Sequence, residues 1–390
     1  MIDIKTFLKG LLKKMIDEEA SDLHLKVGNP PIFRIHGRLV RANLDVLSPK
    51  DLKDIAAEIM TQQQQRIFIA RKELDFAIGV PGLGRFRVNA YIQRGSISIV
   101  MRAIPTRIRD FKELNLPPIL EELSLKPRGL ILVTGTTGSG KSTTLAAMIN
   151  HINKNIARNI ITIEDPIEYL FKDEKSIISQ REVGGDTASF SSALKHVLRQ
   201  DPDVIMIGEI RDKATMDVAL KAADTGHLVL STLHTLNATE TINRIISFYP
   251  PHQHEHVRVL LASTLIASIS QRLIPTADGK GRVPAVEILI NTARVKELIL
   301  DAKRTMLIQQ AMEEGYYEYG MQTFDQSVLK LYREGLITLE DALQNVSNPD
   351  EFLLRLKGIK TTSERWEEED IVKKEKEKKE NKIFGLDKEI

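Results

Sequence analysis

A phosphate-binding loop is the feature of this sequence that most constrains its fold. Residues 135–142 read Gly-Thr-Thr-Gly-Ser-Gly-Lys-Ser, a complete G-x-x-x-x-G-K-S motif. A short apolar run, Leu130 to Val133, precedes the motif, and a segment with a helical pattern, Thr143 to Ile149, follows it. The motif therefore lies at a strand-to-helix turn. Glycines there let successive backbone N–H groups point at a phosphate, and the helix N-terminus favours negative charge.

This loop predicts a binding site for ATP and Mg²⁺. The ammonium group of Lys141 would reach the β- and γ-phosphates, and the hydroxyl of Ser142 would bind Mg²⁺. The predicted nucleotide-binding residues are Gly135, Thr136, Thr137, Gly138, Ser139, Gly140, Lys141, Ser142 and Thr143.

Composition limits the classes of partner, cross-link and membrane segment that the chain can have. The chain has 390 residues, enough for two or three domains, and its net charge of +2 gives no overall attraction to nucleic acid. It has no cysteine, which excludes disulfides and is consistent with a reducing cytosol. It also has no run of about 18 apolar residues that would predict a membrane span. The amphipathic pattern of residues 4–15 predicts a helix that packs on its own domain, with docking on a membrane surface as the alternative.

The order of the sequence patterns predicts an α/β protein with several parts. Residues 1–104 resemble a small mixed domain, and residues 105–127 form a proline-containing linker. Short apolar runs alternate with helical patterns over residues 128–275, which is typical of an α/β nucleotide-binding domain. Residues 276–360 have mainly helical patterns. Residues 361–390 carry dense mixed charge and predict a solvated helix or a disordered tail, to which we assign no role.

Carboxylates follow two of the predicted strands. Glu164, Asp165 and Glu168 come after an apolar run that begins at Ile160, and Glu209 ends a second apolar run. The carboxyl ends of parallel strands form the edge where ligands bind in open α/β sheets. A carboxylate in the first group could orient or deprotonate the water that attacks a γ-phosphate. Glu209 could hold Mg²⁺ directly or through a water molecule. A surface acidic loop and an ordinary strand end are the respective alternatives.

Histidines mark two further segments. A third apolar strand has His227 and His234 at its two ends, and a polar sensor at the phosphate end is the functional interpretation. His252, His254 and His256 follow one another at every second position. On a helix, the first and last of these would share a face that could bind a metal, but no carboxylate or cysteine set completes such a site, and their role stays open.

The combination of these motifs resembles the secretion ATPases of the type II secretion and type IV pilus class. The stretch Ile160 to Leu170 resembles the aspartate box of that family, Asp201 to Asp212 its atypical Walker B motif, and Thr225 to Thr235 its histidine box. The resemblance extends to about residue 358. It includes stretches outside the nucleotide-binding domain, namely Ala20 to Leu25, Arg85 to Asn89 and Gly320 to Asp325.

The resemblance implies a fold and a set of residue roles. The family fold is a PAS-like front domain joined to a RecA-like ATPase domain, assembled as a homo-hexamer. By resemblance, Glu168 is the catalytic glutamate, Glu209 serves Mg²⁺, and His227 and His234 sense the nucleotide or couple it to subunit movement. The front-domain arginines that match the phosphate-reaching set of the family are Arg85, Arg87, Arg94 and Arg102.

Within the family, the sequence resembles the retraction branch, PilT and its paralogue PilU. The chain starts directly at the front domain and has no cysteine for the zinc insertion of assembly and type II secretion ATPases. It looks closest to PilU-like sequences. The resemblance implies a cytoplasmic ATPase motor, peripheral to the inner membrane, that acts on a pilus platform protein to drive retraction and twitching motility.

Alternative functions remain within and outside this branch. PilT proteins carry the signature Ala-Ile-Arg-Asn-Leu-Ile-Arg-Glu, whereas the equivalent stretch here, Arg294 to Asp301, differs from it. An accessory retraction motor that depends on a paralogue is therefore one alternative, and a pilus assembly or type II secretion ATPase is another. A nucleic-acid translocase is the remote one, because basic residues are interspersed with acidic ones and do not form a basic stripe.

Overall fold

A computed structural model describes residues 4–357 of the chain. The described residues divide into two compact units. The first contains the residues up to Arg107 together with Asp165–Lys172 and Arg181–Ser189, and the second contains Ile108–Glu164, Asp173–Gln180 and the residues from Phe190 onward. None of the helices in residues 4–357 combines the length and apolar character needed to span a membrane. The charged segment 361–390 lies outside the described residues.

The first unit is an antiparallel sheet with helices on one face. Over the described residues the sheet has six strands in the order β3-β2-β1-β6-β5-β4. Its elements are α1 (Ile4–Asp17), β1 (Asp22–Lys26), β2 (Ile32–Ile35), β3 (Arg38–Arg41), α2 (Pro49–Ile59), α3 (Gln62–Arg71), β4 (Glu73–Val80), β5 (Gly84–Gln93) and β6 (Ser96–Ala103).

Alternation along β5 separates the two faces of this sheet. Phe86 and Val88 are fully buried and pack in one core with Leu12 of α1 and Leu52 of α2. Because side chains alternate along a strand, Arg85 and Arg87 lie on the opposite face. Arg85 and Arg87 therefore occupy the sheet face that does not pack on this helix-covered core.

The second unit contains a larger, mostly parallel sheet. Its seven described strands run in the order β13-β12-β7-β11-β10-β8-β9. The strands from β12 to β8 in this order pair in parallel, and β13 pairs antiparallel to β12. The strands are β7 (Gly129–Thr134), β8 (Asn159–Glu164), β9 (Ile177–Glu182), β10 (Val204–Ile207), β11 (Leu228–Leu233), β12 (Leu265–Pro275) and β13 (Arg282–Ile290). The central strands are buried on both faces, as continuous apolar runs require.

Helices connect these strands and continue beyond them. The helices are α4 (Ile119–Ser124), α5 (Lys141–Asn155), α6 (Phe190–Val197), α7 (Lys213–Asp224), α8 (Ala238–Ser247), α9 (His254–Thr264), α10 (Ala293–Leu300), α11 (Ile308–Glu314), α12 (Tyr316–Tyr319), α13 (Phe324–Arg333), α14 (Leu339–Asn345) and α15 (Pro349–Leu356). Short 3₁₀ turns cover Pro251–Gln253 and Thr305–Leu307.

Local sequence signals account for the start of several elements. Ser48 and Pro49 open α2, where the Ser48 hydroxyl accepts a hydrogen bond from the N–H of Asp51 at 3.2 Å. A capping box at Thr323 opens α13. The turn His36-Gly37 joins β2 to β3, with both residues at positive φ.

The region after residue 275 differs from the predicted helical pattern in two ways. It begins with β13, whose run from Val283 to Leu289 is buried on both faces and so lacks the alternation that marks a strand. The helical pattern is also interrupted after Leu300, where α10 ends and a buried Arg258 donates a hydrogen bond to the carbonyl of Ile299 at 2.7 Å. This long-range cap is invisible in the local sequence.

The predicted linker also has structure. Residues from Ile108 group with the second unit, and α4 packs against α5 there. Prolines 117 and 118 mark the start of α4 and not an extended connection, since Pro118 occupies its N-cap position.

Candidate active site

The phosphate loop lies between β7 and α5, as the sequence predicts. Gly135, Gly138 and Gly140 have φ angles of 137°, 80° and 94°, in the region that L side chains rarely adopt. Gly140 is the N-cap of α5, so the helix begins at Lys141. The first N–H groups of a helix have no partner within that helix, and here they follow a glycine turn that suits phosphate.

Close contact with the neighbouring strand β12 also requires glycine at position 135. A Cβ atom at this position would lie 2.4 Å from the carbonyl oxygen of Gln271 in β12 and 2.6 Å from Oγ of Ser139. Both distances are shorter than real Cβ contacts allow. The start of the loop is therefore pressed against the neighbouring strand, which fixes where the cradle stands relative to the sheet.

Two backbone carbonyls of the loop hold the side chain of Lys141 in place. Its Nζ donates hydrogen bonds to the carbonyl oxygens of Gly135 at 2.8 Å and Thr136 at 2.9 Å, and the residue is only 9% exposed. A phosphate oxygen could replace either carbonyl as a stronger, charge-assisted acceptor. Ser142 and Thr143 follow in the first helical turn, both partly buried. The loop thus fits the phosphates of a nucleotide.

Glu209 lies two residues beyond β10 in a charged cluster. Its Oε2 is 2.8 Å from Nη2 of Arg211, and its Oε1 is 3.0 Å from Nε2 of His234. Burial raises the pKa of the Glu209 carboxyl, but the hydrogen bond to Arg211 and the positive charges of His234, Arg211 and Lys141 outweigh burial and lower it. An ionised carboxylate and the hydroxyl of Ser142 are hard oxygen donors of the kind that Mg²⁺ prefers.

Gly208, directly before Glu209, lies at a crowded point of this strand end. A Cβ atom there would approach the carbonyl oxygen of Ile163 to 3.3 Å and Cα of Glu164 to 3.5 Å. The N–H of Gly208 donates to the same Ile163 carbonyl at 2.8 Å. The strand ends of β8 and β10 therefore lie close together, and only a small residue fits between them.

The structure separates the two glutamates of the aspartate box. Glu164 is buried, and its Oε1 accepts hydrogen bonds from Oγ1 of Thr162 at 2.6 Å and Nε2 of Gln180 at 3.1 Å. Glu168 is exposed and belongs to the Asp165–Lys172 segment of the first unit. An exposed carboxylate can meet a water molecule, whereas Glu164 is committed to its neighbours.

The four predicted arginines have different surroundings. Arg85 lies 3.4 Å from Oε2 of Glu182, and Nε of Arg102 lies 2.8 Å from Oδ1 of Asp22. Burial raises the pKa of the Asp22 carboxyl, but hydrogen bonds from Arg102 and Ser21 lower it overall. Arg87, directly opposite Arg102 in the β5–β6 register, is exposed. The structure therefore brings Arg85, Arg87 and Arg102 to one sheet face.

Arg94 stands apart from that group in its backbone. It forms, with Gly95, the two-residue turn between β5 and β6, and both residues have positive φ, 49° and 74°. This is the geometry of tight hairpin turns. A structural reason for the turn is thus present at Arg94, and its proposed phosphate-reaching role stays a prediction.

The two histidines of the histidine box lie at opposite ends of β11. His234 follows the strand at its carboxyl end beside Glu209, whereas His227 precedes it. Nδ1 of His227 lies 2.9 Å from the carbonyl oxygen of Ala222, so the ring joins the end of α7 to the start of β11. His234 therefore has the better placement for sensing a nucleotide, and both roles stay predictions.

The three histidines near residue 254 surround the start of α9. Nε2 of His254 lies 2.8 Å from the carbonyl oxygen of Tyr249, while His252 and His256 line one open pocket. Over residues 4–357, no group of three or more His, Cys, Asp and Glu side chains has a geometry that could hold a metal ion. No role is assigned to these histidines.

Sequence reasoning missed a pocket that opens beside the phosphate loop. It has a volume of about 510 Å³ and reaches Ser139, Gly140 and Thr143 of the loop. Its other walls come from the predicted linker and from the β12–β13 hairpin, and include Arg109, Lys112, Asn115, Leu273 and Arg282. The only signal in the sequence was the basic character of Arg109 and Lys112 in a segment taken for a linker. A pocket of this size suits the base and ribose of a nucleotide.

Buried hydrogen bonds connect Thr134, which directly precedes the loop, to the carboxylate of Glu287. Oγ1 of Thr134 donates to Oγ of Ser270 at 3.1 Å, and Oγ of Ser270 donates to Oε1 of Glu287 at 3.1 Å. The same oxygen accepts a hydrogen bond from the N–H of Ala238, the first residue of α8, at 2.7 Å. Burial is the main reason why the pKa of Glu287 is raised to about 7.

Stability should therefore depend on pH through Glu287. A carboxyl whose pKa rises from 4.5 in the unfolded chain to about 7 in the fold binds its proton more tightly when folded. Stability then falls as pH rises from about 4.5 to 7, by at most about 3 kcal/mol. We expect Glu287→Gln, which mimics the protonated acid, to flatten the fall in thermal midpoint between pH 5 and 8.

The control for this experiment is the exposed Glu297→Gln, which should keep the wild-type pH slope. An unchanged slope in Glu287→Gln would mean that other groups set the pH dependence.

Comparison with known proteins places this site in a family. A model of the family described as "Type II/IV secretion system protein" matches residues 2–344. The chain belongs to this family. It is 45% identical over 347 residues to the Type IV pilus ATPase PilU of Pseudomonas aeruginosa, covering 89% of this chain and 90% of that protein. It is 43% identical to the Type IV pilus retraction ATPase PilT of the same organism, covering 88% and 98% of the two chains.

A solved structure supports the same assignment. The chain is 47% identical to the structure described as the pilus retraction motor PilT with bound ADP, with a TM-score of 0.80. The match covers 87% of this chain and 97% of that one. The α/β fold described above is thus the fold of this family member.

Proposed function

We propose that this chain is a Mg²⁺-dependent ATPase that powers type IV pilus retraction. The observation that carries the proposal is the phosphate loop, with buried Lys141 near the anionic Glu209, in a chain similar over nearly nine-tenths of its length to both PilU and PilT. The phosphate-binding chemistry of the loop supports ATP as the substrate, and the similarity to PilU and PilT supports mechanical work on a pilus.

The residue roles follow from chemistry and position. Lys141 and the loop glycines bind the phosphates, and Ser142 and Glu209 hold Mg²⁺, which neutralises charge on the phosphates when bound. Glu168 orients and deprotonates the attacking water. Nε2 of His234 lies 3.0 Å from Oε1 of Glu209, so this histidine is placed to respond when the charge near that carboxylate changes. Arginines of the first unit supply positive charge at the γ-phosphate.

We propose the following domain organisation. Residues 1–104 form a PAS-like domain and residues 128–275, extended by β13, form a RecA-like core. The six-stranded antiparallel sheet with helices on one face supports the first assignment, and the mainly parallel sheet with the phosphate loop after β7 supports the second.

The working unit in this proposal is a homo-hexamer at the base of the pilus. ATP binding closes the front domain of one subunit on its neighbour, and hydrolysis releases it, because arginines supplied from elsewhere in the ring make turnover depend on closure. The movement is passed to an inner-membrane platform protein, with which a cytoplasmic ring would associate peripherally. Nucleic acid has no part in the proposal.

A second candidate, an accessory motor that needs a paralogue, is favoured by one observation. The stretch Arg294 to Asp301 replaces the PilT retraction signature, and in the structure it coincides with α10, where Arg294 pairs with Glu314 of α11. An α10 surface of different chemistry would present different contacts to a platform or to a partner ring.

Complementation of a strain that lacks its retraction ATPase tests both candidates. The gene should restore twitching and retraction force alone if the chain is an autonomous motor, and only together with the paralogue if it is an accessory. A Lys141→Gln version is the control, since it should restore neither. If a deletion of the native gene removes the pili altogether, the motor extends pili and the proposal is wrong.

A further inference from the structure

Glu182 is not among the predicted site residues, but its buried carboxylate contacts two segments that carry such residues. Oε2 of Glu182 accepts a hydrogen bond from the N–H of Ile167 at 3.2 Å and lies 3.4 Å from Nη2 of Arg85. Ile167 directly precedes Glu168. All these residues belong to the first compact unit, although they come from three distant stretches of the sequence.

Glu182 is the fixed partner in these contacts. Its side chain is 9% exposed, against 27% for Arg85. Its backbone is held by Asp186, whose Oδ2 accepts the Glu182 N–H at 2.8 Å and whose N–H donates to the Glu182 carbonyl at 2.8 Å. A buried carboxylate is stable only with donors or a cation beside it. Arg85 supplies that cation.

Arg85 is the partner that can change. Its Nε is buried and has no hydrogen-bond acceptor among the described residues, so the guanidinium is not saturated by the ion pair. The planar fork of an arginine binds a phosphate with two parallel hydrogen bonds, which a single contact at 3.4 Å with Glu182 does not match. A terminal phosphate would therefore compete well for Arg85.

We propose that Glu182 is a positioning residue that retains Arg85 in the absence of a γ-phosphate and thereby sets how strongly the motor distinguishes ATP from ADP. The inference rests on the proposed function, in which Arg85 reaches the γ-phosphate. Binding of ATP separates Arg85 from Glu182, and binding of ADP, which has no γ-phosphate, leaves the pair intact. Part of the affinity for ATP is then spent on breaking the ion pair.

Loss of the Arg85 contact also affects the hydrogen bond between Glu182 and Ile167, the residue before Glu168. When Arg85 leaves, Glu182 keeps the N–H of Ile167 as its partner, and a carboxylate that has lost its cation is the stronger acceptor. The backbone bond to Ile167 tightens as a result. Arrival of a γ-phosphate at Arg85 is in this way coupled to the position of the segment that carries Glu168.

The test is Glu182→Gln in the full chain, titrated with ADP and with a non-hydrolysable ATP analogue. The amide still accepts the Ile167 N–H but carries no charge to retain Arg85. We expect affinity for the ATP analogue to rise by about tenfold, the scale of a partly buried ion pair, with affinity for ADP unchanged. In an Arg85→Gln background, Glu182→Gln should have no further effect on either nucleotide.

Asp203 offers a matched control. Its Oδ2 accepts the N–H of Asn159 at 2.8 Å and its Oδ1 lies 3.3 Å from Nη1 of Arg158, the same pair of contacts at the amino end of β10. Asp203→Asn should leave the ratio of ATP to ADP affinity at its wild-type value.

The outcomes separate this inference from the proposed function. If the wild type hydrolyses ATP but Glu182→Gln shifts both nucleotides equally, or neither, the positioning role is wrong and the proposed function stands. A wild type that hydrolyses no ATP overturns the proposed function itself. Should Glu182→Gln fail to fold, Glu182→Asp tests the same competition: its shorter side chain holds the charge farther from Arg85, so affinity for the ATP analogue should rise with ADP unchanged, and an equal shift for both contradicts the inference.

Discussion

Glu168→Gln is expected to bind ATP as tightly as the wild type and to lose turnover by about 10²- to 10⁴-fold, the range that a general base contributes. The amide has the shape of the carboxylate but cannot accept a proton. Glu168 is exposed, and it lies outside the phosphate loop that supplies binding. The effect should therefore appear in kcat and not in the affinity for nucleotide. Steady-state phosphate release and equilibrium titration of ATP measure the two quantities.

The control is Glu174→Gln, an exposed glutamate six positions further along the chain, which should keep wild-type turnover. Unchanged turnover in Glu168→Gln would remove this residue from the mechanism. Glu164 would then be the next carboxylate to test, although its Oε1 already accepts two hydrogen bonds in the buried strand end.

Features set by local sequence could be predicted. The phosphate loop, its strand and its helix depend on neighbouring residues only, since glycines at positive φ and an apolar run are written in consecutive positions. The carboxyl-edge placement of Glu209 and His234 followed from the polarity of parallel strands, and the structure brings these two side chains within 3.0 Å.

Features set by distant contacts could not be predicted. Nothing near Arg85 in the sequence indicates that Glu182 will be its partner, because the pair is assembled by the Arg181–Ser189 segment joining the first unit. The pocket beside the loop was missed for a similar reason. Arg109 and Lys112 line it only because residues from Ile108 onward pack with the second unit.

The position of Gly135 was predicted from a motif, but its physical cause appears only in the structure. In the motif, glycine permits an unusual backbone conformation. In the fold, it also permits contact with a strand that follows more than a hundred residues later. Glycine is therefore required at this position for two reasons: the backbone has a φ of 137°, and the carbonyl oxygen of Gln271 leaves no room for a Cβ atom. A substitution violates both requirements.

Gly135→Ala should consequently weaken nucleotide binding sharply. The added Cβ would lie 2.4 Å from a backbone oxygen, which cannot rotate away as a side chain can, so the loop must move away from β12. Overpacking costs about 1–3 kcal/mol and the backbone strain a similar amount. We expect affinity for ATP to fall at least about a hundredfold, or about 2.7 kcal/mol. Isothermal titration with ATP and magnesium measures it.

Gly129→Ala separates loss of the cradle from loss of stability. Gly129 is the first residue of β7, the strand that leads into the loop, and has a φ of 119°. A Cβ atom there would lie 2.6 Å from Cγ1 of Ile266 and 2.9 Å from the carbonyl oxygen of Thr264. Its thermal midpoint should fall much as that of Gly135→Ala does, because the clash is similar. Its affinity for ATP should be near that of the wild type, because the crowding lies at the amino end of β7, away from the loop. Equal affinities in the two variants would mean that the contact with Gln271 does not shape the phosphate cradle.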